Sequence, residues 1–169
     1  RDPRHALEEA LIGEPERVNA CFVHPSGVRA IPALAPSRLS SEPAYQRWLA
    51  RNVHPHRVSG FRAVTLSLKR VGIAPGDTSA DVMDAAAALA DRFSQGELRV
   101  SHRQNLVLPW VRESDLPALY EAAKAATFAT PNIGLLTDMI SCPGGDLCAL
   151  ANARSIPIAA ALTERFDDL

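Results

Sequence analysis

The sequence predicts an α+β fold: one small, mostly antiparallel sheet with helices on one face, plus a helical C-terminal extension carrying a pair of cysteines. Three observations lead there. Residues 62–69 alternate apolar and polar side chains, and 98–102 and 105–110 read as two more strands joined by a tight link. Residues 82–93 and 116–123 place apolar side chains at helical spacing. These segments follow one another as strand, helix, strand, strand, helix, which suits a single sheet covered by helices.

Taken in order, residues 5–12 can form a short helix that Gly13 and Pro15 end, and residues 18–41 are interrupted by Pro25, Pro32 and Pro36. Residues 1–56 therefore read as an irregular connecting arm with short helices, the last opening at Pro43 and carrying Tyr45, Trp48 and Leu49. In the strand that follows, Val64, Leu66 and Leu68 alternate with Thr65, Ser67 and Lys69, the pattern of a half-buried strand. Gly72, Pro75 and Gly76 make the next turn. Thr78 and Asp81, three apart, resemble a capping box ahead of Val82, Met83, Ala86, Leu89, Ala90 and Phe93, and Gly96 stops that helix. Pro109 marks the end of its strand or an edge position. Ser114 is placed to cap the helix bearing Leu116, Leu119, Tyr120 and Ala123, with Pro117 tolerated in its first turn. A last helix is expected from Leu147 to Phe166, kinked or broken at Pro157.

Composition bounds the function more loosely. With 169 residues, 47% of them hydrophobic, the chain can bury a core. The net charge of -1 gives no general reason to expect nucleic acid as a partner. Charge is uneven, however: Arg47, Arg51, Arg57, Arg62, Lys69 and Arg70 occur with His54 and His56 and without a carboxylate between Arg47 and Arg70. That stretch is either a solvated basic face or a surface for an anionic cofactor or acidic electron donor. No apolar run reaches the ~18 residues a membrane span requires. The first residues do not lead into a signal-peptide core, so a cytoplasmic, reducing setting is the default expectation. A first residue of Arg and a last helix ending in Asp167, Asp168 and Leu169 suggest a piece of a longer protein.

The strongest chemical signal is Ser141-Cys142-Pro143-Gly144-Gly145-Asp146-Leu147-Cys148-Ala149-Leu150-Ala151. Two thiols bracketing a glycine turn can face one metal centre, and backbone N–H groups of the turn can offset thiolate charge. Iron–sulfur clusters commonly take four thiolates; this stretch supplies two, and Cys21 is remote. The rival readings are two small buried residues, a zinc site lacking further ligands, and a disulfide.

Three stretches in this order resemble the sulfite/nitrite reductase haemoprotein family: Gly96-Glu-Leu-Arg-Val-Ser-His-Arg-Gln-Asn-Leu-Val-Leu-Pro, Ser114-Asp-Leu-Pro-Ala-Leu, and the cysteine stretch. The resemblance covers about residues 57–169. It implies a ferredoxin-like half-domain over 57–131 and, over 132–169, the start of the siroheme and [4Fe–4S] domain. It further implies six-electron reduction of sulfite to sulfide, or nitrite to ammonia, with electrons from ferredoxin or a flavoprotein reductase. Cys142 and Cys148 match the first of two cysteine pairs that hold the cluster. The second pair is not in the sequence, so the 169-residue chain by itself is expected to hold neither cluster nor siroheme and to be inactive, the rest of the parent chain completing the site.

From the same resemblance, Arg103, Gln104 and Asn105 are candidates to contact siroheme, whose carboxylates suit arginine; Arg99 and Arg154 are candidates on that ground too. For Gln104 and Asn105 the alternative is a polar turn satisfying backbone groups. The backbone N–H groups around Gly144 and Gly145 are candidate donors to cluster sulfur. No residue is assigned as catalytic. His54 and His56 are weak metal candidates without a third ligand, and Trp48 and Trp110 read as core or interface anchors. Two other functions stay open: a corrin-pathway oxygenase similar to precorrin-3B synthase, and a non-catalytic α+β interaction module whose cysteines are buried.

Overall fold

The computed structural model describes residues 40–166; the expected helix over 5–12, the proline-interrupted stretch as far as residue 39, and Cys21 lie outside them. Helix α1 spans Pro43–Asn52 and runs directly into strand β1, Val53–Pro55. Strand β2 is Phe61–Leu66, helix α2 Ala80–Phe93, strand β3 Arg99–Val100 and strand β4 Leu106–Arg112. Helix α3, Leu116–Ala125, and helix α4, Ser155–Phe166, complete the order. The four strands form one antiparallel sheet in the order β1-β2-β4-β3, giving the expected α+β fold.

One face of the sheet supplies the apolar core. Val64, Leu66, Leu106, Leu108 and Val111 pack with Trp48 of α1, Ala86, Leu89, Ala90 and Phe93 of α2, and Leu119, Tyr120 and Ala123 of α3. Trp48 lies 5.2 Å from the Tyr120 ring and 5.9 Å from Tyr45, so the aromatic side chains of α1 and α3 interlock beneath the sheet. The helical periodicity read from the sequence is thus the side of each helix that faces this core, except at Met83 of α2, which is exposed. Among the described residues no helix is long and apolar enough to cross a membrane.

Several local expectations change. The cap of α2 is Ser79, whose Oγ accepts from the Val82 N–H at 3.4 Å, rather than Thr78. Helix α3 is entered through a 3-10 turn, Glu113–Asp115, and Ser114 Oγ bonds Asp115 Oδ1 at 3.2 Å instead of capping. Helix α4 begins at Ser155, not Leu147. Pro157 then falls in its first turn, where no intrahelical N–H is needed, so it starts a helix rather than kinking one.

Pro109 sits within β4, a strand with neighbours on both sides, and a bulge makes this possible. The β2–β4 register shifts between Arg62 and Val64, so Pro109 and Trp110 together face the single residue Ala63. On the opposite side β3 pairs only as far as Val107, and the Trp110 N–H finds Ser94 Oγ at 3.0 Å. Pro109 therefore deprives the sheet of no ladder bond it would otherwise make.

The strand expected to be half-buried is covered on both faces. Every residue from Val64 to Lys69 is buried, including Thr65, Ser67 and Lys69, which alternation assigned to solvent. The cover is chain from farther on, residues 132–138, and what it brings is polar.

Candidate functional site: a cysteine turn clamped to the sheet

Lys69 follows the end of β2 with only 2% of its side chain exposed, and the Asp138 carboxylate it faces is fully buried. A buried ammonium must find oxygen partners. Lys69 Nζ donates to the backbone oxygens of Arg103 and Gln104, to Asn105 Oδ1 at 3.3 Å and to Asp138 Oδ1 at 3.4 Å. Burial pulls the Lys69 pKa down, and Asp138 opposes that shift. Asp138 also accepts from Asn105 Nδ2 at 2.7 Å and, through Oδ2, from the Gly134 N–H at 3.0 Å. Ser67 Oγ donates to Asn132 Oδ1 at 2.8 Å. Through these bonds the end of β2, the start of β4 and residues 132–138 form one polar layer against the sheet.

Asn105 is 1% exposed and its amide is spent inside this layer: Oδ1 accepts from the Leu68 N–H at 3.0 Å while Nδ2 holds Asp138. It satisfies buried backbone, the alternative its sequence position left open. Gln104 reaches the other way. Its Nε2 donates to Ser141 O at 2.8 Å and its Oε1 accepts from Ser141 N at 3.0 Å, a two-bond clamp on the residue before Cys142.

Beyond the clamp, Pro143 leads into a 3-10 turn at Gly144–Asp146. Both Cys142 and Cys148 are exposed free thiols, so they are not core residues. Gly144 has φ +56, and a Cβ there would stand 2.5 Å from Ser155 Oγ and 2.6 Å from Ala153 O. Only glycine lets the turn lie this close to the entry of α4. Ser155 Oγ lies 2.6 Å from Cys142 O and 3.5 Å from Cys142 Sγ. Having one proton, the hydroxyl donates either to that carbonyl or to the sulfur. Bonds from Ser155 and from the Gly144 N–H hold the Cys142 thiol below its ordinary pKa. The Gly145 N–H, by contrast, donates to Ala153 O at 2.8 Å and is not free for a cluster sulfur.

The arginines divide. Arg99 pairs with Glu97, and Arg154 with Asp146 at 2.6 Å, so both guanidinium groups already have carboxylate partners. Arg103 is half-exposed, 4.0 Å from Asp138 Oδ2, and lines an open cleft of about 380 Å³ with Arg51, His54, Ser101 and His102. His54 Nε2 lies 3.0 Å from Thr65 Oγ1, whereas His56 accepts from the Val58 N–H and packs 4.6 Å from the Trp110 ring. The two histidines serve different local structures, and no three metal-binding side chains converge among the described residues. Trp48 is a core anchor, while Trp110 is half-buried and donates through Nε1 to Glu97 at 2.6 Å. Sequence reasoning read Lys69 as solvent-facing and did not single out Asn132 or Asp138.

Residues 54–126, from β1 to just past α3, match the family model of the nitrite/sulfite reductase ferredoxin-like half domain. Similar proteins include the chloroplastic ferredoxin–nitrite reductase of Betula pendula, 32% identical over 124 residues that cover 73% of this chain and 20% of that protein. The ferredoxin–nitrite reductase of Synechococcus elongatus is 27% identical over 135 residues, 76% of this chain and 25% of the relative. That of Spinacia oleracea chloroplasts is 29% identical over 146 residues, 83% of this chain and 24% of the relative. Residues 54–126 carry the ferredoxin-like half domain of the nitrite/sulfite reductase family, and the chain spans a fifth to a quarter of the length of these relatives.

Proposed function

We propose that this chain is the part of a siroheme-dependent nitrite or sulfite reductase that supplies one ferredoxin-like half-domain and the first two thiolate ligands, Cys142 and Cys148, of its [4Fe–4S] cluster. The observation that carries this is the presentation of two exposed thiols on one glycine turn, with hydrogen bonds from Ser155 and Gly144 lowering the Cys142 pKa, on a half-domain of this family. The donor set fits: thiolates are the ligands such clusters use, and one turn carries two exposed cysteines. Two further ligands come from elsewhere in the parent protein. When bound, the coupled cofactors would relay electrons from the external donor to the anion in a six-electron reduction.

The chain's own residues then have distinct tasks. The Lys69–Asp138 layer keeps residues 132–138 on the sheet, and the Gly144 N–H and Ser155 hydroxyl stabilise the Cys142 thiolate. Arg103, in its cleft with Arg51, His54 and His102, offers positive charge to a siroheme carboxylate or to the small anionic substrate. The names of the relatives favour nitrite as that substrate and ferredoxin as the electron donor. The test is turnover by the intact parent protein with reduced ferredoxin, following nitrite and sulfite separately. Ammonia formed from nitrite is the expected result. Reduction of sulfite alone would correct the substrate, and reduction of neither anion would overturn the proposal.

A further inference from the structure

The half-domain and the cysteine turn meet at one side chain. Gln104 has φ +56, a left-handed backbone that a non-glycine residue adopts at a cost, and its N–H closes a turn onto Ser101 O at 3.2 Å. Its carbonyl is among the oxygens around Lys69 Nζ, and the next residue, Asn105, is locked to Asp138. Behind it lies Gly76, φ +82, where a Cβ would stand 2.8 Å from the Gln104 Cβ. The side chain is thus backed by a residue that has no room to be larger, with its backbone held by the buried layer. Its amide then pairs with both the N–H and the carbonyl of Ser141, as a neighbouring strand would. Ser141 is bonded directly to Cys142. A local strain sustained by Gly76, Ser101 and Lys69 together marks a conformation kept for what the side chain reaches.

We propose that Gln104 is a positioning residue for Cys142: it transmits the rigid placement of the sheet to the first cysteine of the pair through the Ser141 backbone. This rests on the reading of Cys142 as a cluster ligand. It makes Gln104 act on the metal centre through another residue, rather than by touching siroheme itself. The layer behind it explains the choice of glutamine. Its amide offers one donor and one acceptor, matching the two groups Ser141 presents, and neither glutamate nor methionine can do both.

The test has two arms. In the 169-residue chain, amide hydrogen exchange is followed for Ser141, with Leu68 and Asn105 as internal references. Gln104→Met should speed exchange at Ser141 several-fold, about the loss of one hydrogen bond, and leave both references unchanged. Gln104→Glu, which keeps the acceptor, should fall between Gln104→Met and the unmodified chain. Gly76→Ala, which pushes on Gln104 without removing the amide, should also speed Ser141 exchange and carries this arm if the first variant fails to fold. In the intact parent, the Gln104→Met protein should retain its iron while the reduction potential and paramagnetic resonance spectrum of the cluster shift. Unchanged exchange at Ser141 would overturn the clamp. Faster exchange with an unaltered potential and spectrum would overturn its role toward Cys142. The exchange arm needs no iron, so a failure of the cluster reading itself would be seen separately.

Discussion

Lys69 illustrates how a polar residue can be structural. An isolated ammonium at 2% exposure would be expensive, and here three amide oxygens and one carboxylate oxygen share the charge. Removing the cation leaves Asp138 buried with Asn105 Nδ2 and the Gly134 N–H, and with only the half-exposed Arg103 guanidinium, 4.0 Å away, as counter-charge. Lys69→Met should therefore destabilise the chain by about 3–5 kcal/mol. Urea unfolding followed by circular dichroism checks this; a loss near zero would mean the pair contributes nothing. This layer was not legible in the sequence. Alternation along β2 correctly assigned Val64, Leu66 and Leu68 to the core but read Thr65, Ser67 and Lys69 as solvent-facing, because the pattern records polarity and not what covers it. The cover, Asn132 and Asp138, lies far along the chain. Arg99 and Arg154 show the opposite case: as isolated arginines they suited an anionic cofactor, and each instead has a nearby carboxylate partner.

At the scale of elements, periodicity served well where an element has one apolar side. The apolar positions of α2 and α3 named from spacing include Ala86, Leu89, Phe93, Leu119 and Tyr120, all of which line the core. Boundaries were less legible, because they depend on which hydroxyl finds an orphan N–H. Thr78 and Ser79 are adjacent hydroxyl residues, and only the observed geometry gives the cap to Ser79. Pro157 misled for a related reason. An alanine-rich stretch after Cys148 suggests a helix with a proline inside it, whereas the turn at Gly144 packs on residues 153–155 and delays the helix until Ser155. Helix α1 depends on one side chain above others: Trp48 is fully buried and contacts Tyr45 and Tyr120. Trp48→Ala should cost about 3–5 kcal/mol and lower the midpoint of thermal unfolding by many degrees. A midpoint within a degree or two of the parent chain would show that α1 is not integral to the core.

Across the described molecule, two layers lie on opposite faces of one sheet. The apolar layer, built by α1, α2 and α3, makes the half-domain stable; the polar layer, built on Lys69, Asn105, Asn132 and Asp138, connects it to the residues that lead into the cysteine turn. Gln104 stands where the second layer reaches that turn. The cysteine pair was legible because its spacing and glycine turn are local in sequence. Its exposure, and the support of Cys142 by Ser155 and Gly144, required the fold. The central claim is that Cys142 and Cys148 are ligands to iron, and the most direct measurement is the iron and acid-labile sulfide content of the purified parent protein carrying Cys142→Ser and Cys148→Ser together. Both contents should fall to near zero while the circular dichroism of the half-domain is retained. Iron and sulfide bound at the unmodified level would contradict the claim.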